Sequence, residues 1–464
     1  MRWLAGLVST GLLSVSCAPA APPPRAVPER VALAAPSTSV ATIPVDPVSP
    51  QERALQDKLS SALTYMSEIR QLAAKSEVRG RLIGRNEIQA FISAQIDDET
   101  PKDVLQATEA LLYGFGTVDA DFDYRGTVIG LMSSQLLGFY DPKRKTFFVG
   151  GDLSGEEADV TLWHELVHAL QDQHYDLSHL TEWQPDQGDS QAAVHSLAEG
   201  DATSAMLDAM LKPRGVTALE VPDGLMRAQS VLGSAALTAP PVLVRSLLAP
   251  YVDGLAFTNY LRRRGGFAAV DAAWRTPPVS TEQLLHPEKF LAREPPLPVP
   301  LPMGPPHATE LQERFHDVMG EQTLRLLFEE WLPARTAAEA AADWGGDRIA
   351  IFGDEARQRW AIGWHLRFDS PAAAERAFVA FARSAPLTER GHEDRALPEG
   401  AGIAKQHGSD RVCRPRHNQG PLAVVRRGRD LGVTVGPFNR TTPPVAIDPD
   451  CTAALAWATK VATN

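Results

Sequence analysis

The run His164-Glu165-Leu166-Val167-His168 sets two imidazoles four residues apart, with a carboxylate directly after the first. On a helix advancing about 100° per residue, positions four apart lie within about 40° of each other, so both rings can reach one metal ion from one face. Zinc suits such ligands: it takes two imidazoles and a third protein group, keeps a position for water, and brings that water's pKa towards 7. Glu165 projects to the side of the pair, where a carboxylate can act as general base and pass the proton to a leaving amine. These residue types at this spacing point to metal-assisted hydrolysis.

Three residues compete for the third ligand. His174 stands where the HExxHxxGxxH form places its last histidine, but that form turns the chain at a glycine and this chain has Gln171 there. His195 and Glu199 fall on a later helical pattern, four apart and on one face. Glu199 sits in Leu197-Ala198-Glu199-Gly200-Asp201, and an aliphatic inward stripe has no packing use for a carboxylate. Cleaving an amide also requires a donor for the oxyanion, and His286, Tyr251 and His195 are the candidates. Tyr140 and Phe147 fit either the core or an edge strand that aligns an extended peptide.

These residues need elements to hold them. Ser154 followed by Glu157 is a capping-box signature, and Val160, Trp163, Val167 and Leu170 recur at helical spacing, so a helix is predicted from about Gly155. Just before it, the stretch Gly138 to Gly151 carries turn residues at Asp141 and Pro142 and a β-branched and aromatic run, which predicts a hairpin. Further helices are predicted at Gln51 to Lys75, Lys102 to Tyr113, Gln191 to Met210 and Pro241 to Arg263. A proline cluster at Glu294 to Pro306 divides a first domain, 51–294, from a second, 307–464, with 295–306 as linker. In the second domain, Asp347 to Gly353 with Arg359 to Phe368, and Leu422 to Gly428 with Leu431 to Gly436, read as strand pairs. A helix is predicted at Pro371 to Arg383 and another from about Asp450. The whole is expected to be α+β, with a mainly helical first domain bearing a small sheet.

Several strings together resemble a known group. Gly138 to Pro142 (GFYDP), His164 to Leu177 (HELVHALQDQHYDL), Leu197 to Ala202 (LAEGDA), Pro250 to Gly254 (PYVDG), Ser280 to Phe290 (STEQLLHPEKF) and the string ending at Arg348 (AADWGGDR) are similar to a little-studied prokaryotic family of exported HExxH zincin-like proteins. The resemblance implies a gluzincin-type metallopeptidase domain with His164, His168 and Glu199 on zinc and Glu165 as base. The chain departs from the thermolysin-like pattern in which an aspartate follows the glutamate ligand by four residues. That position is Thr203, and Asp201 lies two away.

Residues 1–17 carry Arg2, a short apolar run and small residues before Cys17, the build of a signal peptide too short to remain as a spanning helix. The ending Leu12 to Cys17 resembles a lipobox, so Cys17 is expected to carry a lipid that anchors the protein to the bacterial envelope, periplasmic or at the cell surface. Residues 18–50 hold nine prolines in 33 residues and form an extended tether. In an oxidising compartment Cys413 and Cys451, the other two thiols, are expected to form a disulfide. Across 464 residues the formal charge is −12, which argues against nucleic acid and polybasic membrane attachment. Expected partners are a peptide or protein substrate, with the membrane met only through the lipid. A binding or assembly lipoprotein with little turnover is the alternative reading, and an amidase acting on cell-wall peptides a third.

Overall fold

The computed structural model describes residues 50–463 except 136–137, 151–155, 181–183, 223–238, 385–409, 417, 444 and 446. Cys17, the tether up to residue 49 and the predicted capping residue Ser154 lie outside the described residues. The architecture is mixed α+β: a helical region with a three-stranded sheet, then a six-stranded sheet with its own helices. No helix among the described residues is long and apolar enough to cross a membrane.

The first region runs α1 Pro50–Arg70, β1 Arg79–Ile83, α2 Arg85–Glu99, α3 Lys102–Gly114 and α4 Tyr124–Gln135. There follow β2 Gly138–Asp141, β3 Thr146–Gly150, α5 Glu156–Tyr175, the short α6 Leu177–Leu180 and α7 Gly188–Leu211. It closes with α8 Pro241–Arg275, α9 Thr281–Leu285 and α10 Pro287–Ala292. The hairpin forms where the turn residues predict it: β2 pairs antiparallel with β3, Tyr140 opposite Phe147, and β1 joins β3 in parallel. Asp141 makes the turn by accepting the amides of Lys143 and Arg144, the side-chain-to-backbone bonding that suits aspartate to turns. Chain then passes from β3 towards α5, whose Leu166, Val167, Ala169 and Leu170 are buried against Leu197 and Ala198 of α7 and Phe257 of α8. The helix predicted to end at Arg263 is interrupted just beyond it, where Gly265 and Gly266 leave helical geometry, and a second helical stretch carries α8 on to Arg275.

α7 and α8 approach each other backbone to backbone. A Cβ on Gly254 would stand 1.9 Å from the Ser196 carbonyl oxygen, and one on Gly200 would stand 2.0 Å from the Gly254 carbonyl carbon. Only glycine at both positions lets the two backbones touch. The residues beside them, Glu199 on α7 and Tyr251 one turn before Gly254 on α8, are thereby brought together.

The second region contains β4 Gln312–Asp317, α11 Gly320–Phe328, α12 Ala334–Ala341, β5 Trp344–Gly353 and β6 Arg359–Phe368. It continues with α13 Pro371–Ser384, β7 Arg411–Arg414, β8 Leu422–Arg427, β9 Asp430–Asn439 and α14 Cys451–Val461. The sheet order is β4-β5-β6-β9-β8-β7, antiparallel throughout. The two predicted strand pairs form its centre, with β4 and β7 added at the edges. Asp450 caps α14 by accepting the amides of Thr452 and Ala453. A disulfide joins Cys413 on β7 to Cys451 at the start of α14.

The two regions share a core. Leu111 and Phe115, at and just beyond the end of α3, lie in one apolar cluster with Trp331, Trp364 and Phe381, and the Phe115 ring stands 6.4 Å from that of Trp331 and 6.0 Å from that of Trp364. The proline-rich segment 295–306 is strapped to the second region. The Leu297 amide donates to Gly345 O at 2.6 Å, Arg367 donates to Pro298 O at 2.8 Å, and Trp457 donates to Met303 O at 2.9 Å.

Candidate metal centre

α5 and α7 cross so that His164, His168 and Glu199 converge. His164 Nε2 lies 3.0 Å from Glu199 Oε2 and 3.1 Å from His168 Nε2, and His168 Nε2 lies 3.5 Å from the same Glu199 oxygen. The three groups are buried. A tetrahedral zinc with bonds of about 2.0–2.1 Å has ligand atoms about 3.3 Å apart, so this triangle has the dimensions of one face of a zinc site. No lysine or arginine reaches the triangle in any contact among the described residues, and Glu199 Oε1 is buried without a hydrogen-bond partner. Two imidazoles and one carboxylate are a donor set that fits a divalent cation, with the orphaned oxygen as independent support.

The cluster's own electrostatics show how strongly these groups need one another. Burial alone would lower the basicity of His168, yet the Glu199 carboxylate outweighs it and pushes the imidazole up to about 9. Burial would likewise raise Glu199, but His168 and His164 hold it well below the ordinary carboxylate range. Burial dominates at Glu165 and raises it in spite of both imidazoles. The Tyr140 amide of edge strand β2 donates to Glu165 Oε2 at 2.9 Å. β2 is tied to α5 a second time where the Tyr140 hydroxyl donates to Asp172 at 2.8 Å, and Lys145 reaches the same carboxylate oxygen at 2.6 Å.

The other predicted site residues separate. His174 is outside the cluster, its Nε2 2.7 Å from the Ala73 carbonyl oxygen on the exposed side of α5: with Gln171 continuing the helix, no turn swings it back. His195 comes close, its Nε2 3.6 Å from Glu199 Oε1, and is buried without a hydrogen-bond partner. Burial pushes it down to about 4, which keeps it neutral. His286 does not join the site as an oxyanion donor. It ends α9, and its Nε2 is 2.8 Å from Glu321 on α11, so a carboxylate already claims that nitrogen. Tyr251, another of the three candidates, does stand beside the triangle. Its ring centre is 5.8 Å from that of His164, and its hydroxyl, raised well above the usual phenol range chiefly by burial, interacts with Glu199.

Sequence reasoning missed what stands behind the cluster. His168 Nδ1 lies 2.9 Å from Gln171 Oε1, and Gln171 leads to Asp201, Arg70 and Trp274. Two signals were present in the residues. Gln171 extends the face of His164 and His168 by one more helical step, and Arg70 extends the buried stripe Leu59, Leu63, Met66 of α1.

A family model described as "Domain of unknown function (DUF8575)" matches residues 309–441, in the second region. No curated protein and no solved structure matches the chain.

Proposed function

We propose that the protein is a zincin-like, zinc-dependent metallopeptidase of the bacterial envelope, anchored by a lipid on Cys17. The observation that carries the reading is the convergence of His164, His168 and Glu199 with Glu165 alongside. Zinc held by those three ligands would supply Lewis acidity, making water acidic near neutral pH and drawing charge from a carbonyl. The protein's residues do the rest. Glu165 takes the proton from water and returns it to the leaving amine; its burial raises its affinity for that proton, and the Tyr140 amide holds one of its carboxylate oxygens. The Tyr251 hydroxyl, beside His164 and Glu199, is the donor for the charge that grows on the carbonyl oxygen.

The test is a peptide-library digest with zinc stoichiometry measured alongside. Glu165→Gln keeps shape while removing basicity, so zinc should remain and cleavage should fall about a hundredfold or more. A wild-type chain with stoichiometric zinc and no cleavage would replace the peptidase by the binding lipoprotein. Cys17→Ala should move the protein from the membrane to the soluble envelope fraction, since one anchor is being removed; unchanged fractionation would refute the lipid.

A further inference from the structure

We propose that Gln171 is the positioning residue of His168: it locks the imidazole with its proton on Nδ1 and so presents the Nε2 lone pair to the metal position. The inference rests on the metal reading above, and it comes from following one amide through its partners. Gln171 Nε2 faces two groups that can only accept, Ala198 O at 3.1 Å and Asp201 Oδ2 at 3.0 Å. The amide therefore cannot flip without setting its carbonyl against another carbonyl and a carboxylate, which fixes Gln171 Oε1 towards His168. That oxygen is 2.9 Å from Nδ1 and has no proton to give, so Nδ1 must be the donor.

Asp201 holds this orientation because it is itself pinned. Its Oδ1 accepts from Arg70 Nε at 2.5 Å and its Oδ2 from Trp274 Nε1 at 2.9 Å, with Asp201 and Arg70 fully buried. Arg70 is held from its other end by Asp271 at 2.6 Å. Helices α1, α5, α7 and α8 each contribute to the chain, which ends at a metal ligand. Asp201, two residues from Glu199, thus acts on the histidine at one remove, through a neutral amide that does not compete for a cation as a second carboxylate would.

A buried amide could also be there for packing alone, and two substitutions separate the roles. Gln171→Leu keeps volume and removes the acceptor. Gln171→Glu keeps an acceptor for His168 but sets a second carboxylate against buried Asp201. A packing role makes the glutamate variant the worse of the two by every measure. The positioning role reverses the order for zinc: by chelator competition the leucine variant should bind 10- to 100-fold more weakly, while the glutamate variant stays near wild type despite the lower melting temperature. Zinc affinity that instead follows melting temperature, or is unchanged in Gln171→Leu, overturns the inference and leaves the metal site standing. Should neither variant fold, the zinc-loaded wild-type chain with 15N-labelled histidine decides: a proton on His168 Nδ1 supports the proposal, and a proton on Nε2 overturns it. A wild-type chain that takes up no zinc removes the metal reading and this inference together.

Discussion

Among the described residues, two groups of three His, Cys, Asp or Glu side chains bring potential ligand atoms within 4.8 Å of one another: His164, His168 and Glu199 between α5 and α7, and Glu282, Glu294 and Asp369 where α9 and α10 meet the second region. They differ in what neutralises them. Lys289 stands inside the acidic group, its ammonium 2.6 Å from Glu282, 2.9 Å from Glu294 and 2.5 Å from Asp369. One cation among three carboxylates is not a full match, and burial still pushes Glu282 up to about 8. The histidine group has no lysine or arginine in any contact among the described residues: there the partner of Glu199 is an imidazole, His168, which a metal can replace as the source of positive charge, and Glu199 Oε1 has no hydrogen-bond partner. Proximity of acids therefore says little about metal binding until the protein's own cations have been counted.

Removing the lysine is the harshest way to test that contrast. Lys289→Met should destabilise the protein by about 3 kcal/mol, the low end for breaking a buried pair, because Glu294 and Asp369 are partly exposed. Thermal or urea unfolding measures it; a loss near zero would show that the carboxylates never needed the ammonium. Zinc provides the second test. At a free concentration about 100 times its dissociation constant it should stabilise the wild type by about 2.7 kcal/mol, and that gain should vanish in Glu199→Ala while persisting in Glu282→Gln. Equal loss in both variants would erase the distinction between the clusters.

The part of this arrangement that could be read in the residues is the part set by local spacing. HExxH on a helix, the hairpin before it and the glutamate on a later helix all depend on neighbours within about a turn or two. Asp450 announces α14 in the same way. What could not be read depends on how distant helices cross. Nothing near Tyr251 in the chain reveals that Gly254, three residues on, meets Gly200 and sets the tyrosine against Glu199. His286 illustrates the same limit in reverse: its place before a proline was legible, but its Glu321 partner sits on a helix beyond the proline-rich segment. That segment itself, read as a separator, lies strapped to the sheet through Leu297, Pro298 and Met303.

A third buried carboxylate, Asp189 at the start of α7, is served by neither a metal group nor a lysine, and the remaining route is a proton. It lies against the second region: Gly320 on α11, with φ at +76°, approaches so closely that a Cβ there would stand 1.7 Å from Asp189 Oδ1. The Thr281 amide donates to Oδ1 at 3.0 Å and the Thr281 hydroxyl donates as well, but Oδ2 has no partner, and the nearby charges on Asp347 and Glu321 are of the wrong sign. Burial first, and those acids second, push Asp189 up to about 7 despite the Thr281 bonds. A carboxyl whose folded-state pKa exceeds its unfolded value contributes stability that is fully present below the unfolded pKa and is lost as pH rises through the folded one. Between about pH 5.5 and pH 7 this group alone should cost the protein about 2 kcal/mol, at about 1.4 kcal/mol per pH unit. Asp189→Asn keeps the acceptor for Thr281 and cannot ionise, so it should match the wild type below about pH 4, and its advantage should grow by about 2 kcal/mol between about pH 5.5 and pH 7. Urea unfolding across the range reads the difference, and parallel pH profiles for the two proteins would show that Asp189 keeps its charge in the folded state.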